Sequence, residues 1–282
     1  MNDSILKMFK TYHITPLPGG GTNALYLLEN SLKERCVLKV AMLSNKRAQT
    51  EEICLDLLRQ TDFVPKLLSR RTIDGKLCLL MEYIAGKTHL STLMENRENA
   101  NMDHSLSLFR SLGVLLAKFH QQKITSRHLA HLDHQLNRNH SFIHRHLYER
   151  SSGILKKINS FRLNMSVLVH GDFGYHNVIR DLNGRDILID WELAGTGDPR
   201  LDIGSLLFWT HLHFPNEAFD FCHAFMDGYQ SIENLECTQE IIHPFVILQI
   251  WRIIDMVTED FPDHVKKEWN RRLSWALDKV FI

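Results

Sequence analysis

Val167-Leu168-Val169-His170-Gly171-Asp172-Phe173-Gly174-Tyr175-His176-Asn177, followed by Ile187-Leu188-Ile189-Asp190-Trp191-Glu192, decides the reading of this chain. Each stretch opens as an apolar, strand-like run and ends in a carboxylate where the strand would exit. Asn177 lies five residues beyond Asp172. Moving a phosphoryl group from a nucleotide needs one carboxylate beside the accepting hydroxyl, plus an amide and a second carboxylate to hold magnesium. Asp172, Asn177 and Asp190 are those residue types in that order, so the segment points to phosphoryl transfer.

Upstream, the first eighty-odd residues read as strands with one helix. Pro18 to Asn23 is a turn, Ala24 to Leu28 a strand, and Cys36 to Val40 an apolar run carrying one lysine, Lys39. Helical spacing follows over 50–60 and stops before Pro65, because proline disfavours a helical residue ahead of it. Residues 72–84 read as a hairpin turning at Asp74-Gly75. Beyond Gly86 the pattern becomes helical, strongest over 105–120, where apolar residues recur at 108, 109, 112, 115, 116 and 119. Two short strand pairs surround the catalytic segments, and everything after Gly204 again reads as helix. The expectation is an α+β chain with a small sheet-rich lobe, residues 1–84, and a larger, mainly helical lobe, residues 85–282.

An ammonium in an apolar run needs a partner. Glu51 shares a helical face with Leu55 and Leu58, whereas Glu52 shares one with Asp56 and Arg59, so Glu51 is the expected partner of Lys39. The plain alternative is a surface lysine and a helix-start glutamate. The Gly19-Gly20-Gly21 run with Thr22 and Asn23 is either an ordinary turn or a loop whose backbone N–H groups cradle phosphates. Met81-Glu82-Tyr83-Ile84 is either an edge strand or the segment whose backbone meets a nucleotide base. His170 reads as a structural residue that shapes its loop. Glu192 and Asp198 would reach a metal or a cationic substrate, or be solvated, and Asp202 would cap a helix or brace the loop.

The totals set outer bounds. The 282 residues suit two lobes or one large domain, and zero formal net charge argues against a nucleic-acid or anionic-membrane surface. Five scattered cysteines without a CxxC pair fit a reducing compartment. No signal peptide or bilayer-length apolar run is apparent, which predicts a cytoplasmic protein, a monomer or weak dimer. His128, His131, His134, His140, His144 and His146 form no zinc motif of known form, and a polar helical excursion is the expectation there.

Taken together, His-Gly-Asp-x-x-x-x-Asn (170–177), Ile-Asp-Trp-Glu (189–192) and Gly-Asp-Pro-x-x-Asp (197–202) resemble the aminoglycoside phosphotransferase and choline kinase group of small-molecule kinases. The likeness extends to Asn23, Lys39, Glu51, Met81 to Tyr83 with Gly86, and the helix end Leu116 to His120. The resemblance implies a bilobal protein-kinase-like fold, ATP (sometimes GTP) and Mg2+, and a hydroxyl of a small molecule as acceptor; the acids and aromatics toward the C-terminus would suit a cationic one. It implies Asp172 as catalytic aspartate, and Asn177 and Asp190 as metal ligands. Gly20, Gly21, Thr22, Asn23, Lys39, Glu51, Glu82 and Ile84 would hold the nucleotide. Acceptor contacts would come from about 205–282, where Trp209, Tyr229, Trp251, Asp255, Glu259, Asp260, Asp263, Glu268 and Trp269 offer acids and aromatics. Trp251 and Asp255 stand out there, although tryptophan on an amphipathic helix is more often core. Antibiotic and choline- or thiamine-type acceptors both stay open. A pseudokinase would be expected to lack one of Lys39, Asp172, Asn177 and Asp190, and a protein kinase would need an activation segment for which the eleven residues between Asp190 and Asp202 leave no room.

Overall fold

The computed structural model describes residues 7–18, 23–42, 44–122, 127–132, 140–161, 166–257 and 260–282. In chain order its elements are β1 (His13–Leu17), β2 (Asn23–Glu29), β3 (Arg35–Ala41), α1 (Asn45–Leu57), β4 (Leu67–Ile73), β5 (Lys76–Glu82), β6 (Gly86–Thr88), α2 (His89–Glu98), α3 (Met102–His120), α4 (Arg145–Leu155), β7 (Val167–Val169), β8 (Val178–Asp181), β9 (Asp186–Leu188), β10 (Gly195–Gly197), α5 (Arg200–His213), α6 (Ala218–Gln230), α7 (Gln239–Ile254) and α8 (Asp263–Leu277). One-turn 3₁₀ segments stand at Tyr175–Asn177 and Trp191–Leu193. The chain is α+β, with an antiparallel sheet first and helices after it.

It separates into two compact units: 1–92 with 127–129 and 176–194, and 93–126 with 130–175 and 195–282. Residues 85–92 and 176–194 join the N-terminal sheet unit because β6 pairs with β8, β8 pairs with β9, and Leu188 N–H donates to the Phe63 carbonyl at 2.8 Å. The sequence pattern, in contrast, changes at 84–85.

In the first unit five antiparallel strands run in the order β1-β2-β3-β5-β4. The hairpin between β4 and β5 turns at Asp74-Gly75, both at positive φ (48° and 75°), the geometry of a two-residue turn matched to sheet twist. Strand alternation gives β3 two faces. Leu38 and Val40 enter a core with Leu28, Cys36, Ile73 and Cys78; Val37 and Lys39 point the other way, beside Leu25 and Met81. The helix expected over 50–60 begins earlier, at Asn45. There the Asn45 side chain clamps the hairpin, donating to the Gly75 carbonyl at 2.7 Å and accepting from Leu77 N–H at 2.9 Å. The polar run from Asn45 to Gln49 hides this start from periodicity.

In the second unit α3 lies against α6 with almost no space between backbones. A Cβ on Gly113 would stand 2.1 Å from the Phe225 carbonyl oxygen, and one on Gly228 would stand 2.1 Å from that of Arg110. Two glycines therefore let the helices cross at backbone contact. The helix expected over 105–120 starts at Met102, since Asn101 accepts from His104 N–H at 3.2 Å and caps it. The last helical region begins at Arg200, ahead of Gly204. All five cysteines are free thiols; Cys36, Cys54 and Cys78 are buried in the first unit and Cys222 in the second. Among the described residues, no helix is long and apolar enough to cross a membrane.

Candidate active site

Within the first unit, the face of β3 that carries Lys39 opens on a cavity of about 210 Å3. Leu25, Val37, Met81, Ile179 and Ile189 make its apolar walls, and Glu82, Tyr83 and Ile84 line the same space. Its polar end is a three-residue ion cluster. Lys39 Nζ lies 2.6 Å from Glu51 Oε2 and 2.6 Å from Asp190 Oδ1. Glu51 arrives on the buried face of α1 with Ala48, Cys54 and Leu55, whereas Glu52 faces outward and pairs with Arg70. The side chains of Lys39 and Glu51 are nearly sealed, at 6% and 3% exposure, while Asp190 keeps 40%. Burial alone would depress the Lys39 ammonium, yet the two carboxylates outweigh it and hold the pKa above the usual lysine value. Burial raises Glu51 above the ordinary carboxylate range against the pull of Lys39.

Asp190 sits in left-handed backbone geometry (φ 66°, ψ 62°). For a residue with a side chain that conformation costs about 1–3 kcal/mol and is kept where surrounding structure over-determines it. Here Ile189 N–H donates to the Asn177 carbonyl at 2.9 Å, which sets the Asn177 and Asp190 segments side by side. Asn177 is buried. Just beyond Asp190, Glu192 is also buried: Asn23 Nδ2 donates to its Oε2 at 2.5 Å and Arg47 Nη1 approaches its Oε1 at 3.8 Å. Gly20, Gly21 and Thr22 lie outside the described residues.

In the second unit the Asp172 loop hangs on one carboxylate. Asp202 Oδ2 accepts from His170 N–H at 2.7 Å and Asp202 Oδ1 from Gly171 N–H at 2.8 Å. Gly171 has φ 82°, a backbone turn that suits glycine, and Gln249 Nε2 donates to its carbonyl at 3.3 Å. Asp172 N–H donates to His170 Nδ1 at 3.3 Å. Behind Asp202 stands His120, whose Nε2 is 3.2 Å from Asp202 Oδ2 and whose Nδ1 is 2.9 Å from the Tyr229 hydroxyl. Asp202 is fully buried; burial would raise its carboxyl, but His120, with help from His170, holds it below the usual range. Asp202 is thus the loop's brace, and the residue flanking the start of α5 is Pro199.

Asp198 is neither solvated nor open to a ligand: Arg200 Nη2 donates to its Oδ2 at 2.6 Å, and both are buried. Most of the C-terminal aromatics and acids are likewise engaged internally. Trp251 is 1% exposed and stacks near His140, Tyr229 is buried on His120, and Arg272 lies over Trp269. Asp255 is held by His140 at 2.6 Å and Glu268 by Arg271 and Arg272, while Glu259 lies outside the described residues. In the histidine-rich stretch His144 and His146 stack on each other, and His134 lies outside the described residues. Sequence reasoning missed Gln249 and Arg47, and the contacts of His120 with Asp202 and of Asn23 with Glu192. His120 alone carried a signal: it falls four residues after Leu116 on the apolar face of α3, where a polar residue needs a buried partner.

The profile of the APH phosphotransferase enzyme family matches residues 13–235. The chain belongs to this family. As a member of the APH family it is a phosphotransferase with a hydroxyl group as acceptor. Among solved structures it is similar to choline kinase LicA from Streptococcus pneumoniae, with 17% identity over 97% of this chain and 96% of that one, at a TM-score of 0.69. Spectinomycin phosphotransferase APH(9)-Ia, solved with ADP and spectinomycin, shares 10% identity over 98% and 94% at a TM-score of 0.63. ADP-bound aminoglycoside phosphotransferase APH(2'')-Ib shares 17% over 98% and 95% at 0.64. At such identities the likeness is one of fold, the protein-kinase-like fold of APH enzymes. No curated protein matches the chain.

Proposed function

We propose that this APH-family protein is an ATP- or GTP-dependent, magnesium-dependent kinase that phosphorylates a hydroxyl of a small cationic molecule. The observation that carries the reading is the Lys39–Glu51–Asp190 cluster at the polar end of an apolar cavity. A planar base suits the apolar walls, with the backbone of Glu82 to Ile84 as its hydrogen-bonding edge. A triphosphate suits the ammonium of Lys39, which Glu51 holds extended toward the cavity. Structures of relatives solved with ADP support a nucleotide in this fold. In this division residues 1–84 hold the nucleotide, and residues 85–282 supply the catalytic aspartate, the metal ligands and the acceptor site.

The donor set fits magnesium. Asp190 offers a carboxylate that stays partly exposed after Lys39 has taken Oδ1, and Asn177 lies alongside; both are hard oxygen donors of the kind that ion selects. When bound, the ion would neutralise charge on the phosphate oxygens. Lys39 would hold the non-transferred phosphates. The loop that Asp202 fixes would present Asp172 to the acceptor hydroxyl, where its carboxylate orients the O–H and accepts the proton as the new bond forms. Most of the acceleration would come from positioning and electrostatics rather than covalent chemistry. For the acceptor, the names of choline kinase LicA and of the aminoglycoside phosphotransferases support a cation. Asp260, exposed beyond α7, is an acid of the region not engaged in a described ion pair.

The reading is tested by release of ADP or GDP, with magnesium, across aminoglycosides, choline, ethanolamine, thiamine, homoserine and sugars. We expect acceptor-dependent release with one chemical class, and Asp172→Ala should lower kcat by ~10²–10⁴ with little change in nucleotide affinity. Near-full activity in Asp172→Ala would remove the mechanism. Phosphorylation of a protein rather than any small molecule would move the acceptor class.

A further inference from the structure

Glu192 was open, from its sequence position, to reaching a metal or a cationic substrate. The structure gives it a different set of neighbours. Its carboxylate is 8% exposed and holds three elements at one point: Asn23 at the start of β2, Arg47 in the first turn of α1, and its own 3₁₀ turn, which begins directly after Asp190. Asn23 lines the same cavity as Lys39, and α1 carries Glu51 one turn beyond Arg47. A single buried carboxylate thus links the start of β2, the first turn of α1 and the turn that follows Asp190.

The local electrostatics favour this tie over an incidental contact. The first turn of α1 holds no acid; Lys46 and Arg47 stand there instead, at the positive end of the helix dipole, where a cation is unfavourable. Glu192 supplies the missing negative charge from another part of the chain. Its bond to Asn23 is a charge-assisted hydrogen bond at 2.5 Å, the stronger kind. Glu51 and Asp190 meet Lys39, and Glu192 lies close enough to push Glu51 up, so Arg47 is a second cation beside this group of carboxylates.

We propose that Glu192 is a positioning residue for nucleotide phosphates, acting through Asn23 and Arg47 rather than by touching substrate or metal itself. This rests on the functional reading above. The Asn23 side chain is bonded to Glu192, so its contribution to the phosphate site is made through that tie. On this proposal contacts to the base stay as they are, while contacts to the β- and γ-phosphates depend on the tie.

The test is calorimetric binding of adenosine, ADP and a non-hydrolysable ATP analogue, with magnesium, to wild type and to Glu192→Ala, Asn23→Ala, the double variant and Glu192→Gln. Loss of one charge-assisted hydrogen bond should weaken ADP and analogue binding by about tenfold in either alanine variant and leave adenosine within about twofold. The double variant should be no weaker than the poorer single one, because both remove the same contact. Glu192→Gln keeps an oxygen that accepts from Asn23 and should recover most of the loss. In turnover the alanine variants should raise KM for the nucleotide more than they lower kcat. Additive losses, equal weakening of adenosine, or unchanged phosphate affinity in Asn23→Ala would overturn the tie. Failure of wild type to bind any nucleotide would overturn the functional reading and this inference with it; binding by wild type with indifferent variants overturns only the inference.

Discussion

At the scale of single residues, Lys39 balances two carboxylates at once. Its ammonium meets Glu51 and Asp190 at 2.6 Å each, in a place where Glu51 is almost sealed from water. Removing one partner of a buried pair leaves an uncompensated charge, which costs about 3–5 kcal/mol. Lys39→Met should therefore lower unfolding free energy by about that amount in denaturant titration, besides abolishing nucleotide binding. Adding Glu51→Gln should restore about 1–3 kcal/mol of it, since the two sites are in contact and their effects do not add. Lys39 and Glu51 were legible as a pair because an ammonium in an apolar run demands a partner, and period 3.6 separates Glu51 from Glu52. Glu192 was not legible. Its partner Asn23 is 169 positions away, and no local pattern carries information across that distance.

Elements constrain one another most tightly where α3 crosses α6. Any side chain at Gly113 or Gly228 meets a carbonyl oxygen that belongs to rigid helix. Overpacking of this kind typically costs about 1–3 kcal/mol, so Gly113→Ala and Gly228→Ala should each show a loss of that size in chemical denaturation. The double variant should lose less than the sum, because separating the helices once relieves both clashes. The crossing also matters for chemistry, as α3 ends in His120 and so reaches the loop brace Asp202. That brace can be tested directly. In Asp202→Asn one oxygen must replace two acceptors, and the new amide N–H₂ faces a backbone donor; kcat should fall by about ten- to a hundredfold, with KM for nucleotide less affected. The sequence marked α3 as amphipathic and left Asp202 between cap and brace. It did not mark the crossing, since a glycine inside a helical pattern reads only as a weakness of that helix.

Across the whole molecule, acid should act through carboxylates whose partners lie within the same unit. In the first unit burial alone would raise Asp186, but hydrogen bonds from His89 and Arg180 outweigh it and hold the carboxyl down to about 2. A folded-state value depressed below the unfolded one contributes stability that is complete above the unfolded pKa and disappears as pH falls through the folded one. The window is therefore from about pH 4 down to about 2, and with partial solvent screening the contribution is about 1–2 kcal/mol. Asp186→Asn should flatten the stability profile over that window and leave neutral pH behaviour set by the remaining contacts. Asp202, also held low, acts in the same direction in the second unit. The alternation of sheet and helix regions was visible in hydrophobic pattern. The grouping of 176–194 with the N-terminal sheet was not, because strands of three or four residues such as β8 and β9 find their partners only in three dimensions. The buried thiols give these units separate clocks. Cys36, Cys54 and Cys78 report on one and Cys222 on the other, and each must reach solvent before an alkylating reagent can react. Peptide-resolved labelling rates would therefore time the opening of sheet and helices independently, in the native chain and with no probe introduced.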